Sequence, residues 1–218
     1  MMQRPSGSQD LNRWQRVLTF DDNVLQEIYR DTTATVPAVL TVLAVMILSG
    51  VGGFVWWAVI ENNPQQTDFL LESTVIGTLI ATGMFFVWVG LVAAMAGQLG
   101  RPGNIGQGSQ PGNISQFGRQ GNQELSATVR TLSFASVPFG LSALVFIPGL
   151  EFVISIVALS LLFISTTLAT RIALNVTFAR ALGSNLTGFF LWLIILSTLM
   201  DAPNNYFAPA IFFWGAFA

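Results

Sequence analysis

Cysteine, histidine and lysine are absent from this chain of 218 residues, and charged residues make up only 9% of it. Without cysteine the chain can form no disulfide and offers no thiol nucleophile. Without histidine it has no imidazole to bind a metal ion or to act as a general base. An ordinary soluble domain carries about 25% charged residues. These absences exclude the commonest catalytic and metal-binding chemistries and argue against a soluble domain.

Hydrophobic residues account for 52% of the sequence and are gathered in long runs. A helix that crosses a bilayer core of about 30 Å needs about 20 apolar residues. The two shorter runs, 131–147 and 185–200, are each equally compatible with a buried helix of a soluble protein when taken alone. The three longer runs, however, leave no soluble core that such a helix could join. The runs therefore predict an all-α, polytopic membrane protein with five spans, at about 35–60, 74–99, 131–147, 152–174 and 185–200.

All nine basic residues are arginine, and they alternate with the predicted spans. Arginines lie in residues 1–34, in the connection between spans two and three, at the end of span four and in the connection from span four to span five. The other two connections and residues 201–218 contain none. Basic residues near short loops are retained in the cytoplasm. The distribution predicts a cytoplasmic N-terminus and a C-terminus outside.

Three segments lie outside the predicted spans. In the cytoplasmic segment 1–34, residues 1–18 predict a mobile start, and Thr19 predicts the cap of an amphipathic helix at about 20–31 that lies along the membrane surface; a solvated linker helix is the alternative. Residues 100–123 are rich in Gly, Asn and Gln and predict a flexible cytoplasmic loop. The aromatic outer tail 201–218, which contains Trp214, predicts a segment that lies at the membrane interface or docks on a partner; nonspecific contact with lipid is equally open.

Small residues and prolines mark structural or interface candidates within the spans. Gly90 and Ala94 lie four residues apart and favour a close approach of helices, although such pairs are also ordinary in membrane helices. Pro138 predicts a kink in span three whose lost backbone bond needs another partner. Pro148 and Gly149 predict a tight turn that makes spans three and four a hairpin.

The helix that starts after this turn is predicted to be long. It begins at Glu151 and meets no strong stop before Gly183, so it is expected to continue to about Leu182, beyond the bilayer core.

No ionisable residue lies at the centre of any predicted span. Membrane enzymes and ion-coupled transporters place ionisable groups at that depth. The hydroxyl groups of span four have no base beside them and are expected to bond to helix backbones; they belong to Ser155, Ser160, Ser165, Thr166 and Thr167. We therefore predict a protein that is not an enzyme and has no catalytic residue, metal site or cofactor.

The order of these features resembles the Yip-one domain (Ypt-interacting protein, YIP) family over about residues 16–200. The resemblance rests on the acidic helix FDDNVLQEIYRD, the two long spans and polar loop, the later segments RTLSFASVP and IPG, and a helix that ends in RAL at residues 180–182. It implies five spans and a cytoplasmic N-terminus. Eukaryotic members are associated with Rab GTPases and vesicle traffic, but their Asp-Leu-Tyr-Gly-Pro motif is missing here, since Asp10 and Leu11 are followed by Asn12. The chain is more similar to the bacterial branch, which implies the bacterial inner membrane.

Two functions are compatible with these observations. The first is a non-catalytic membrane adaptor or scaffold of the YIP-domain type that organises other membrane proteins or lipids. The second is an accessory structural subunit of a large respiratory or photosynthetic complex. Both predict the lipid bilayer and other integral membrane proteins as partners, and neither involves nucleic acid.

The arginine distribution predicts the outcome of a topology experiment. A reporter that is active only in the cytoplasm should work at the N-terminus and within residues 100–123, and it should fail at the C-terminus, because five crossings place the two ends on opposite sides. Activity at both ends would require an even number of spans.

Overall fold

A computed structural model describes residues 7–56, 67–99 and 114–200. Within these ranges the chain is all-α and contains no strand, which confirms the predicted fold class. The helices are α1 (Gly7–Leu18), α2 (Asp22–Arg30), α3 (Thr35–Val55), α4 (Thr67–Leu99), α5 (Ile114–Ala135), α6 (Glu151–Leu174) and α7 (Phe178–Met200). Two 3₁₀ segments cover Thr32–Ala34 and Val137–Phe146. Residues 100–113 of the predicted loop and the tail with Trp214 lie outside the described residues.

Five helical stretches are long and apolar enough to cross a membrane: Thr32–Val55, Val75–Met95, Leu125–Phe146, Glu151–Leu174 and Phe178–Ile195. The third and fifth begin earlier than the apolar runs indicated. Residues 114–123, which were expected to belong to the loop, form the first turns of α5. Of the polar residues that shortened the apolar runs, Arg130 and Ser184 are buried and form hydrogen bonds, whereas Arg180 is exposed.

The third stretch, Leu125–Phe146, forms the centre of the bundle. Residues 131–139 are all buried. Helices α3 and α6 pack against both α5 and the 3₁₀ segment Val137–Phe146. Helices α4 and α7 pack against each other, and α4 also packs against α3 and α7 against α6.

At Pro138 the central stretch changes from an α-helix to a 3₁₀ helix. The Phe139 N–H donates to Ser136 O at 2.9 Å. In an α-helix that N–H would bond to Ala135 O, four residues back. Ala135 O instead accepts a hydrogen bond of 2.6 Å from the Ser165 hydroxyl of α6. The ten-residue 3₁₀ segment extends about 20 Å, whereas ten α-helical residues extend about 15 Å. The added length helps the stretch Leu125–Phe146 to span the bilayer core.

A tight turn joins the 3₁₀ segment to α6. The Leu150 N–H donates to Ile147 O at 3.1 Å. Between them lie Pro148 and Gly149, and the φ angle of Gly149 is +79°. Proline followed by a glycine with positive φ is typical of a type II turn. The turn reverses the chain and brings α6 back along the 3₁₀ segment.

Helix α6 ends at Leu174, so the expected continuation to Leu182 is wrong. Asn175 adopts a left-handed conformation with φ 48°, and its N–H donates to Arg171 O. Asparagine tolerates this conformation better than most residues and can end a helix as glycine does. Gly183, expected to be a helix stop, lies inside α7.

The N-terminal segment also differs from expectation. Residues 7–18 form α1 rather than a mobile start. The cap of α2 is Asp21, whose carboxylate accepts from the Asn23 N–H at 2.9 Å, and not Thr19. The apolar face of α2 is formed by Val24, Leu25 and Ile28, which are at most 3% exposed. Since α2 packs on α5 and α6, this face contacts protein rather than the membrane surface.

A close backbone contact occurs at Gly52 of α3. A methyl group on Gly52 would lie 2.7 Å from Ala143 Cα, in the 3₁₀ segment. A methyl group on Gly90 would meet no atom within 4 Å, and Ala94 is exposed. The buried face of α4 carries Phe85 and Trp88 on the opposite side of the helix. Gly90 and Ala94 therefore take no part in packing within the described bundle.

Gly52→Ala is expected to destabilise the bundle by about 1–3 kcal/mol, because the added methyl group overpacks a backbone contact. Gly83→Ala is the matched control, since Gly83 also lies in a spanning helix but a methyl group there meets no atom within 4 Å. The stability of each variant would be measured as the fraction of protein that still elutes as the native species after heating in detergent. Equal melting of the two variants would contradict the close contact at Gly52.

Candidate functional site

The six arginines whose side chains the structure describes all lie at one end of the bundle, which we call the arginine end: Arg13, Arg16, Arg30, Arg130, Arg171 and Arg180. Two of them link α1 to α2. Arg13 Nη2 lies 2.8 Å from Asp31 Oδ2 and 3.1 Å from Glu27 Oε1. Arg16 Nη2 lies 2.8 Å from Asp21 Oδ2. These arginines are engaged in holding the N-terminal helices together.

The charge cluster shifts the protonation equilibria of its acids. Burial of the Asp31 carboxylate would raise its pKa, but hydrogen bonds from Thr33 and Arg13 outweigh this effect, so the pKa lies below its ordinary value. The pKa of Asp21 is lowered mainly by its hydrogen bond from Arg16 and also by the Asn23 N–H. Both acids are therefore carboxylates near neutral pH, as an ion-pair role requires.

Arg130 joins the N-terminal helices to the centre of the bundle. The residue is 5% exposed. Its guanidinium donates to Tyr29 O at 3.0 Å and to the Thr35 hydroxyl at 3.2 Å, and to Ser126 Oγ at 2.9 Å. One planar cation thus contacts the end of α2, the start of α3 and its own helix. Because a guanidinium keeps its protons in proteins, this group positions helices and cannot act as a base.

A buried amide joins α6 and α7. Asn185 is 0% exposed, and its Nδ2 donates to the hydroxyls of Thr167 and Thr166 at 2.8 and 3.1 Å. The two threonine hydroxyls donate in turn to carbonyls of α6, at Phe163 O and Leu162 O. Among the other hydroxyls of span four, Ser155 and Ser165 also bond to backbone carbonyls, whereas Ser160 is exposed. Sequence reasoning missed Asn185 as a contact residue, and its place in a largely apolar helix was the available signal.

Aromatic rings fill the space between α4, α7 and the 3₁₀ segment. The ring centroids of Trp88 and Trp192 are 5.7 Å apart, and those of Phe139 and Trp192 are 6.1 Å apart. Gly188 permits this arrangement, because a methyl group there would lie 2.7 Å from Trp88 Nε1. This part of the bundle interior is packed with aromatic side chains.

An apolar groove of about 520 Å³ runs between α6 and α7. Ser160 supplies its only polar side chain. The residues that line it are Ile156, Leu159, Ser160, Phe163, Ile164, Leu186, Phe189, Phe190 and Leu193. Such a groove suits an apolar ligand or the apolar face of another helix.

The candidates from the sequence do not converge on one site. Pro138 is buried at the change of helix type, Pro148 and Gly149 form an exposed turn at the opposite end from the arginines, and Gly90 and Ala94 face outward from α4. In the part of the chain that the structure describes, no three metal-ligating side chains lie together.

The fold and these contacts define an integral membrane protein with five helical spans. No family model, no curated protein and no solved structure matches the chain. The YIP resemblance therefore stays a hypothesis that rests on the sequence features that suggested it.

Asp31→Asn is expected to destabilise the protein by about 1 kcal/mol at neutral pH, because it removes a partly buried carboxylate from Arg13. The pKa of Asp31 is lowered in the folded state. The Asp31 carboxylate therefore stabilises the fold fully at pH values above its ordinary pKa of 3.8, and this stabilisation is lost as the pH falls through the lowered pKa. The difference from the wild type should thus vanish in acid.

Asp22→Asn is the matched control, since Asp22 lies next to the cluster but is exposed. Thermal melting of the three proteins in detergent at neutral and acidic pH measures the effect. A difference between wild type and Asp31→Asn that persists unchanged in acid would contradict the ion-pair role.

Proposed function

We propose that the chain is a non-catalytic integral membrane scaffold that organises other membrane proteins or lipids. The observation that carries this proposal is the use of the buried polar groups. Arg13, Arg130 and Asn185 all bond to neighbouring helices of the same chain. Among the described side chains, no acid or base lies at mid-depth in a span, where catalysis or ion coupling needs one.

The outward surface supports a role in lateral contacts. The α6–α7 groove lies in the membrane-spanning part and is open between the two helices. Its walls include Phe190, which is 53% exposed, and Leu186, which is 41% exposed. In a bilayer such a groove contacts an acyl chain or a helix of a partner protein. A ridge of side chains on a partner helix can pack into a groove of this shape.

The family and the orientation belong to the same proposal. The YIP-domain type, the bacterial inner membrane and a cytoplasmic arginine end are supported by the sequence resemblance and by the positive-inside rule. A scaffold needs no Rab-type GTPase, which fits the absence of the Asp-Leu-Tyr-Gly-Pro motif.

The alternative is an accessory subunit of a respiratory or photosynthetic complex, and one observation favours it. Gly83, Gly90 and Ala94 lie on the outward face of α4, where methyl groups on the two glycines would meet no atom of the described chain. A stripe of small residues allows a helix from another subunit to approach closely. Such a contact would be permanent and of fixed stoichiometry.

Purification in a mild detergent, followed by identification of co-purifying proteins, tests the scaffold role. Membrane partners in variable amounts support a scaffold, and partners at one fixed stoichiometry support the accessory subunit. A chain that purifies alone from native membranes, also after cross-linking, would contradict both.

The groove variant Ser160→Trp should lower the recovery of a groove-bound partner about fivefold or more, because overpacking a contact costs at least about 1 kcal/mol. Val157→Trp is the matched control, since Val157 is exposed on α6 outside the groove lining. Equal recovery with both variants would show that the groove is not the contact surface.

A further inference from the structure

A polar cavity of about 830 Å³ lies at the arginine end, between α2, the last turn of α6 and the connection to α7. Its wall combines two arginines with amide and hydroxyl groups, above an apolar floor. The residues that line it are Asp22, Gln26, Tyr29, Arg30, Leu168, Arg171, Ile172, Asn175, Val176, Thr177 and Phe178.

The two arginines of this cavity differ from those that build the bundle. Arg13, Arg16 and Arg130 are engaged by carboxylates, hydroxyls or a carbonyl. Arg30 and Arg171 are exposed, and within the described part of the chain neither forms an ion pair or a side-chain hydrogen bond. With Asp22 as its only acid, the cavity lining has two positive charges and one negative charge, a net charge of +1.

The depth of the cavity is that of lipid headgroups. Arg171 lies in the last turn of a helix long and apolar enough to cross the membrane. The cavity therefore lies where a spanning helix leaves the hydrocarbon core. Leu168 and Ile172 continue its floor toward the apolar part of α6, and Phe178, 52% exposed, borders it at the start of α7. A ligand that fits has an anionic group at one end and an apolar part at the other.

We infer that this cavity binds the phosphate group of an anionic phospholipid, with Arg30 and Arg171 as its ligands. Guanidinium groups bind phosphate oxygens through paired, charge-assisted hydrogen bonds. Gln26, Asn175 and Thr177 supply further polar groups for the headgroup. Basic pockets beside membrane-spanning helices are suited to such lipids. The inference requires that the five helices span a bilayer, and it names a ligand for one site without depending on the scaffold's protein partners.

The test uses the full chain, purified in a nonionic detergent, with lipid binding counted by native mass spectrometry. The probes are phosphatidylglycerol, which is anionic, phosphatidylcholine, which carries the same phosphate without a net charge, and glycerol 1-phosphate, which has no acyl chain. We expect saturable binding of phosphatidylglycerol only. Each of Arg30→Gln and Arg171→Gln should weaken it about fivefold, and the double variant should weaken it about 25-fold, because independent losses multiply.

Arg180→Gln is the matched control, because Arg180 is an exposed arginine at the same end but does not line the cavity. Its binding should equal that of the wild type. Arg171→Lys should retain part of the affinity, since it keeps the charge and loses the planar fork. Circular dichroism and size exclusion of every variant verify the fold.

Three results would overturn the inference. Unchanged binding in the double variant would exclude the two arginines as ligands. An equal loss of phosphatidylglycerol binding in Arg180→Gln would show that the effect comes from the overall charge of the arginine end and not from the cavity. If glycerol 1-phosphate competes as well as the lipid does, the ligand of the cavity is a soluble phosphate ester and not a phospholipid. None of these results bears on which proteins co-purify with the chain, so the scaffold proposal stands or falls separately.

Discussion

Inside a bilayer, every backbone donor and acceptor has to find its partner within the protein, because the hydrocarbon offers none. In the central stretch Leu125–Phe146 this constraint is difficult to meet, because the helix type changes at Pro138 and the regular pattern of backbone hydrogen bonds is interrupted. Ser165 of α6 donates its hydroxyl to Ala135 O, the carbonyl that the change leaves without its α-helical bond. Because this bond and the close approach of Gly52 both require direct contact, α3 and α6 lie against the central stretch. The rest of the bundle is arranged around these two contacts.

The same central stretch also organises the arginine end. Arg130 lies near its start and bonds to Tyr29 O and to the Thr35 hydroxyl, so α2 and α3 are held at a defined place on α5. The Arg13 pairs with Glu27 and Asp31 then hold α1 on α2. The two terminal nitrogens of the Arg130 guanidinium have acceptors, and removal of these acceptors would leave a costly buried charge without partners. The N-terminal helices are consequently part of the bundle, and α2 is not a free membrane-surface helix.

The functional proposals follow from how the polar groups are divided. Several that point inward bond to other helices of the chain, as Asn185 does across the α6–α7 contact. Those that remain open to ligands lie at the arginine end, where Arg30 and Arg171 face one cavity. Between the two ends the outward surface is apolar and carries a groove. We therefore propose a role in binding and positioning, with specificity that depends on the shape of the groove and on the charges of Arg30 and Arg171.

Hydropathy and the arginine distribution were enough to predict five spans, because both are local properties of the sequence. The turn at Pro148 and Gly149 is local in the same sense. Other features depended on partners remote in the chain: Arg130 bonds to a residue 101 positions away, and Asn185 to residues 18 and 19 positions away. In the sequence alone, an arginine or an asparagine near the end of a predicted span cannot be recognised as a buried contact residue, because an exposed residue of the same type gives the same pattern. The sequence by itself therefore determined the number of crossings and the charge asymmetry, whereas only the tertiary structure decided which polar groups are consumed in packing, because burial is a property of the assembled helices.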